Sequence, residues 1–165
     1  MKPAKLDSTI PEAGMPAPDF CLPDARNEET VRLSDLTGRD ILLVFFRGTW
    51  CPFCRDQMRL LADNEPRLRE AGITLLGIVC QNRRSVRAYT ESVRLPFPLL
   101  ADETREVARS YGSHYWLSPE GFNLARPSLF ILDRNGIITL AYRGKNMTDL
   151  PVGKVLEKFI LLLEA

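Results

Sequence analysis

Cys51 and Cys54, separated by Pro52 and Phe53, are the residues of this chain best suited to do chemistry. If a helix begins here, Cys54 lies about one turn beyond Cys51 on the same face, close enough to close a disulfide without moving the backbone. The working species of such a pair is a thiolate, of which a free thiol of pKa ~8.5 supplies little at neutral pH. A thiol at a helix N-terminus faces unpaired N–H groups and the positive end of the helix dipole, and both favour the anion. Cys51 stands where the apolar run at residues 41–46 gives way to a helical pattern, and Pro52 suits the first helical position because it has no N–H to leave unpaired. This geometry makes Cys51 the exposed nucleophile and Cys54 the resolving thiol. Trp50 reads as a packing wall beside the pair, and Thr49 as a turn residue or a hydrogen-bond donor.

The same two cysteines could instead ligate zinc, which takes four ligands in structural sites. The other candidates are Cys21, Cys80 and the single histidine, His114, and they form no second closely spaced ligand pair. No metal is therefore expected. Gly144 and Gly153 make no phosphate-binding loop, so no nucleotide cofactor is expected either. Four cysteines at irregular spacing do not make a secreted disulfide framework. Cys21 reads as a small apolar residue, with a resolving role as the sharper alternative. Cys80, at the end of a second apolar run, reads as an inert buried thiol, with a resolving or ligating role as its alternative. His114 falls in an irregular segment, where it either assists the thiols or serves structure alone.

With 165 residues, 45% of them hydrophobic and 26% charged, the chain can bury the core of one domain. A net charge of +1 and scattered arginines give no electrostatic case for nucleic acid or an anionic membrane surface. Residues 1–14 contain no apolar stretch of signal-peptide length, and the longest apolar runs, 41–46 and 159–163, are too short to span a bilayer. A cytoplasmic protein with no membrane partner is the default expectation.

Elements must exist to position the pair. Prolines at 3, 11, 16 and 18 mark residues 1–16 as an extended leader. Short strands are expected near residues 19–24 and 30–33, with one helical turn at Ser34-Asp35-Leu36. The run 41–46 reads as a strand covered on both faces. The helix after the pair is kinked or restarted by Pro66 and closed by Gly72, and residues 73–80 form a second buried strand. Strand, crossover helix and strand imply a parallel pair. A helix at 85–93, a strand at 98–101 and a helix N-capped by Asp102 follow. The segment 113–126, with its Ser-Pro-Glu-Gly turn at 118–121, reads as irregular. Asn135-Gly136 then joins strands 128–133 and 137–142 into a hairpin, and Thr148 or Asp149 opens a last amphipathic helix. This order predicts an α/β domain with a central mixed sheet flanked by helices, which is the order of a thioredoxin-like fold carrying an N-terminal extension.

Several segments carry a more specific likeness. Ala17-Pro18-Asp19-Phe20, Leu33-Ser34-Asp35-Leu36 and Leu43-Val44-Phe45-Phe46-Arg47-Gly48 before the Trp-Cys-Pro-x-Cys stretch resemble the AhpC/TSA, or peroxiredoxin-like, family of the thioredoxin superfamily. Leu95 to Asp102 and Phe130-Ile131-Leu132-Asp133 are similar to its midsection and hairpin, so the likeness runs from about residue 16 to the end. It implies reduction of hydrogen peroxide or organic hydroperoxides at the expense of an external thioredoxin- or glutathione-like thiol, and relatives that often form homodimers. The catalytic pattern departs from the family's. Laid without gaps on Phe45-Phe46, the family's peroxidatic cysteine falls on Cys54, its threonine on Cys51 and its proline on Arg47. The position of its arginine falls on Pro127, with Arg126 beside it. Thioredoxin-like reductases carry a cis-proline at that place, so Pro127 is expected to follow a cis bond. Two activities thus stay open, peroxide reduction and thioredoxin-like reduction of protein disulfides.

Overall fold

The computed structural model describes residues 9–118, 121–146 and 148–165. Its centre is a five-stranded sheet in the order β5-β4-β3-β8-β9. β3 (Asp40–Phe46) takes the middle because every residue after Asp40 is apolar and buried, so the strand can be covered on both faces. Parallel to it runs β4 (Ile73–Val79), and β5 (Leu99–Ala101) lies parallel to β4. On the other side β8 (Ser128–Leu132) and β9 (Ile138–Arg143) are antiparallel. Their turn is held by Asp133, whose carboxylate accepts from Asn135 N and Ile137 N, with Gly136 at φ +75° where a side chain would be strained.

Alternation along β3 divides the core in two. Leu42, Val44 and Phe46 face α1 (Pro52–Glu70), where Cys54, Met58, Leu61 and Leu68 are buried, and α4 (Pro151–Glu164), which inserts Val152, Leu156 and Ile160. Ile41, Leu43 and Phe45 face the opposite way, onto Phe20, Leu22, Leu33 and Tyr111. Tyr111 packs 5.3 Å from Phe45 and 5.1 Å from Phe130 between ring centres, and its hydroxyl donates to Pro18 O at 2.7 Å.

Most elements stand where the sequence places them, and the departures have physical reasons. α1 runs unbroken through Pro66, an exposed position where the helix gives up one hydrogen bond without meeting the core. α2 (Arg83–Val93) begins two residues early because Asn82 Oδ1 caps it, accepting from Ser85 N at 2.8 Å. α3 (Glu106–Ser110) begins later than expected, after Arg105 in the left-handed region at φ 64°. Asp102 still caps it from a distance, accepting from Val107 N and Ala108 N. α4 likewise opens later, with Leu150 ahead of Pro151 as its N-cap.

The segment 113–126 is regular, not irregular: β6 (His114–Ser118) and β7 (Gly121–Ala125) form an antiparallel hairpin. Tyr, Trp, Leu and Phe on its two arms favour strand despite the turn residues between them. The middle of the 118–121 turn lies outside the described residues. β1 (Cys21–Pro23) and β2 (Thr30–Arg32) pair separately, followed by a 3₁₀ turn at Leu33–Leu36. Of the leader, residues 1–8 lie outside the described residues. Gly14 N donates to Ile138 O at 2.7 Å and Ala17 N to Gly136 O at 2.9 Å, so its later part is docked on the β8–β9 hairpin. Among the described residues no helix is long and apolar enough to cross a membrane.

Candidate active site

β3 ends at Phe46, and the chain turns through residues 47–50 into α1, with Cys51 as its N-cap and Pro52 at its first position. The structure therefore puts the two cysteines on the strand-to-helix junction expected of them, and brings Thr49, Trp50 and Pro52 beside them. The exposure of Cys51 differs from expectation. Cys51 is only 1% exposed, as is Cys54, because both side chains turn inward onto the α1–α4 core face. The rim is formed instead by Trp50 and Phe53, 49% and 43% exposed.

The loop is held from several sides. Arg47 is buried and its guanidinium lies 4.7 Å from the centre of the Trp50 ring. The indole crosses so close to Gly48 that a Cβ there would come within 2.3 Å of its Nε1, so any side chain at that position would have to displace the ring. Thr49 N donates to Gln81 Oε1 at 2.6 Å, Gln81 Nε2 donates to Thr49 Oγ1 at 3.1 Å, and Arg55 Nε donates to Thr49 O at 2.5 Å. At the far end of the pair, Gln57 is buried and accepts from Val152 N at 3.2 Å, tying α1 to the start of α4.

Burial pushes the Cys54 thiol up to about 12; the adjacent Cys51 sulfur adds to the effect, and hydrogen bonds from the Gly48 and Arg47 backbones oppose it. Burial likewise pushes Cys80 up to about 12, helped by the charge on Asp102, whose carboxylate its thiol approaches at 3.8 Å. An unfolded thiol ionises near pKa ~8.5, so the folded state keeps protons that the unfolded state has lost between about pH 9 and about pH 12. The stability these two thiols contribute is therefore whole below that window and declines as pH rises through it, by up to about 1.4 kcal/mol per pH unit for each. Urea unfolding of the reduced protein at a series of alkaline pH values should show this decline, with a shallower slope in Cys80→Ala; an unchanged slope would refute it.

The remaining candidates lie elsewhere. Cys80 sits on the opposite face of the sheet, with Phe45 and Ile78, so the sheet itself separates it from Cys51 and Cys54. Cys21 is exposed on β1. His114 Nε2 pairs with Asn123 Oδ1 at 2.7 Å across the β6–β7 hairpin. Arg126 turns toward the β9 end, donating from Nε to Gly144 O at 2.6 Å and lying 5.2 Å over the Tyr115 ring. Pro127 is buried one step beyond the Phe45–Ser128 pair, at the level of Phe46. Its peptide bond is trans, as are all those described, which corrects the expected cis bond; trans is the ordinary preference of an X–Pro bond, by about 0.5–1 kcal/mol.

Two residues of the site, Gln81 and Arg55, were not legible as such. Gln81 follows Cys80, and the period of two that turns Cys80 away from the pair points its neighbour toward it. That parity was the available signal. Among the described residues, no group of three or more His, Cys, Asp or Glu side chains is placed to hold a metal ion.

Comparison with known proteins bears on the family and the fold. The family model described as "AhpC/TSA family" matches residues 13–141. The chain is 27% identical over 156 residues to peroxiredoxin Q, chloroplastic, of Suaeda salsa, covering 93% of this chain and 70% of that one. It is 30% identical over 152 residues to the thiol-disulfide oxidoreductase ResA of Geobacillus kaustophilus, covering 92% and 80%. Among solved structures, the peroxidoxin BcpB of Mycobacterium tuberculosis superposes with a TM-score of 0.80 at 22% identity, covering 93% and 97%.

Proposed function

The chain belongs to the AhpC/TSA family, and on that premise we propose that it is a thiol peroxidase working through a Cys51–Cys54 couple. The observation that carries the reading is the placement of both thiols at the N-terminus of α1, directly after the central strand, with a buried arginine in the same loop. Cys51 occupies the N-cap position of α1, directly ahead of Pro52 at the first helical position. Cys54 resists ionisation, which suits a thiol held in reserve.

In the reaction, the Cys51 sulfur attacks one oxygen of the peroxide. An S–O bond forms as the O–O bond breaks, and the departing oxygen takes a proton and leaves as water or an alcohol. Cys51 is left as a sulfenic acid. Cys54 then gives up its proton and attacks the Cys51 sulfur, expelling water and closing the disulfide. An external dithiol returns the two electrons. To Arg47, buried in the loop, and to the Thr49 hydroxyl we assign the stabilisation of charge on the departing oxygen. Arg126, committed to Gly144 and Tyr115, has the weaker claim. The exposed rings of Trp50 and Phe53, which flank Cys51 in the chain, suit an apolar hydroperoxide.

The likeness to ResA favours a second reading, reduction of protein disulfides by the same couple. Stopped-flow mixing of the reduced protein with hydrogen peroxide and cumene hydroperoxide separates the two. A peroxidase site should oxidise about 10²–10³-fold faster than a free thiolate, the usual worth of one preorganised donor. A rate equal to that of free cysteine would transfer the assignment to disulfide reduction.

A further inference from the structure

Gln81 makes a two-point contact that the chemistry of the couple, as described so far, does not use. Its amide accepts from Thr49 N at 2.6 Å and donates to Thr49 Oγ1 at 3.1 Å, so both ends of one planar group are committed to one residue. Thr49 sits at the centre of the 47–50 turn, and Arg55 holds its carbonyl from the other side. The same turn presents the Arg47 and Gly48 backbones to the Cys54 sulfur as hydrogen-bond donors. Without Gln81 the Thr49 N–H would lose its acceptor and the turn would lose its tie to the segment after β4, which loosens it. Gln81 lies two residues beyond β4, which is paired along its whole length with β3, so the loop is referenced to the centre of the sheet.

We propose that Gln81 is a positioning residue for the resolving step: it holds the 47–50 turn so that its N–H groups meet the Cys54 sulfur as that sulfur takes on charge. The role rests on the Cys51–Cys54 couple but not on peroxide as the substrate. It concerns the second chemical event, attack by Cys54, and not the first, attack by Cys51.

The test uses an aromatic disulfide, dithiobis-nitrobenzoate, on the reduced full chain in a Cys21→Ser background, since Cys21 is exposed and would react on its own. The Cys51 thiolate attacks the reagent and releases one coloured aromatic thiolate, leaving a mixed disulfide. Cys54 then loses its proton, attacks the Cys51 sulfur and releases the second aromatic thiolate. The protein is oxidised by two electrons to the Cys51–Cys54 disulfide and the reagent is reduced to two thiolates. In Gln81→Ala the second release should slow about tenfold, the scale of one lost charge-assisted hydrogen bond, with its pH midpoint displaced upward and the first release unchanged within about twofold. Gln81→Glu, whose carboxylate can accept from both the N–H and the hydroxyl of Thr49, should keep the second release close to the parent and guards against a folding defect in the alanine variant. Equal slowing of both releases in Gln81→Ala, or slowing of neither, overturns the positioning role. A parent chain that never gives a second release, or gives one that persists in Cys54→Ser, overturns the couple itself and is distinguished by that control.

Discussion

Replacing Cys51 by serine should lower the rate of reaction with peroxide by roughly 10³-fold or more, because a hydroxyl at this position has no thiolate form and the scaffold offers no second sulfur at the helix cap. Cys54→Ser should behave differently. The first oxidation should persist, while the product stops at the Cys51 sulfenic acid and turnover with a dithiol reductant collapses. Stopped-flow fluorescence is a natural readout, since Trp50 adjoins Cys51 and stacks on Arg47. Trapping the sulfenic acid with a cyclic diketone, followed by mass spectrometry, assigns the sulfur. The opposite pattern, with fast oxidation surviving in Cys51→Ser and lost in Cys54→Ser, would return the attacking role to Cys54, where the gapless comparison with the family places the peroxidatic cysteine. The two assignments make opposite demands on the same pair of variants. Burial does not choose between them, since both cysteines are equally enclosed. The capping position of Cys51 and the resistance of Cys54 to ionisation are what favour the first.

Much of this arrangement was legible in the chain because strong local signals agreed with the global fold. A continuous apolar run at residues 41–46 has one comfortable environment, the centre of a sheet, and a Pro one residue past a cysteine has one comfortable place in a helix, its first turn. The Asn135-Gly136 turn was equally explicit. What was not legible depends on contacts distant in sequence. Burial of Cys51 follows from the docking of α4 against α1, which no local pattern around residue 51 announces. The engagement of Arg126 by Gly144 follows from the β8–β9 pairing and from the carbonyl left free at the end of β9. Gln81 carries no motif at all; only the parity of β4 and the register of β4 on β3 bring it to Thr49. The hairpin at 113–126 was obscured by proline and glycine at its turn, which read as irregularity when the flanking aromatic residues in fact favoured strand.

That division of the sheet into two faces gives a second large effect, and one that separates stability from chemistry. Phe45→Ala should destabilise the protein by about 3–5 kcal/mol, since it removes a fully buried ring from between Tyr111 and Phe130 and leaves a cavity that three packed elements cannot readily close. In a domain of this size the melting temperature should fall by roughly 10 °C. Phe45 nevertheless points away from Cys51 and Cys54, which belong to the other core. Well below its own melting temperature, the variant should therefore retain the rates of both sulfur steps within a small factor. Phe46, the next residue, faces the α1 side and packs in the same cluster as the two cysteines. Phe46→Ala should cost a similar amount of stability and also disturb the sulfur chemistry, because the cavity opens beneath the helix that carries the pair. Thermal unfolding measured beside the two-phase aromatic disulfide assay distinguishes the two variants. If Phe45→Ala lost the sulfur chemistry as completely as Phe46→Ala, the sheet would be transmitting the damage from one core to the other, and the independence of its two faces would be refuted.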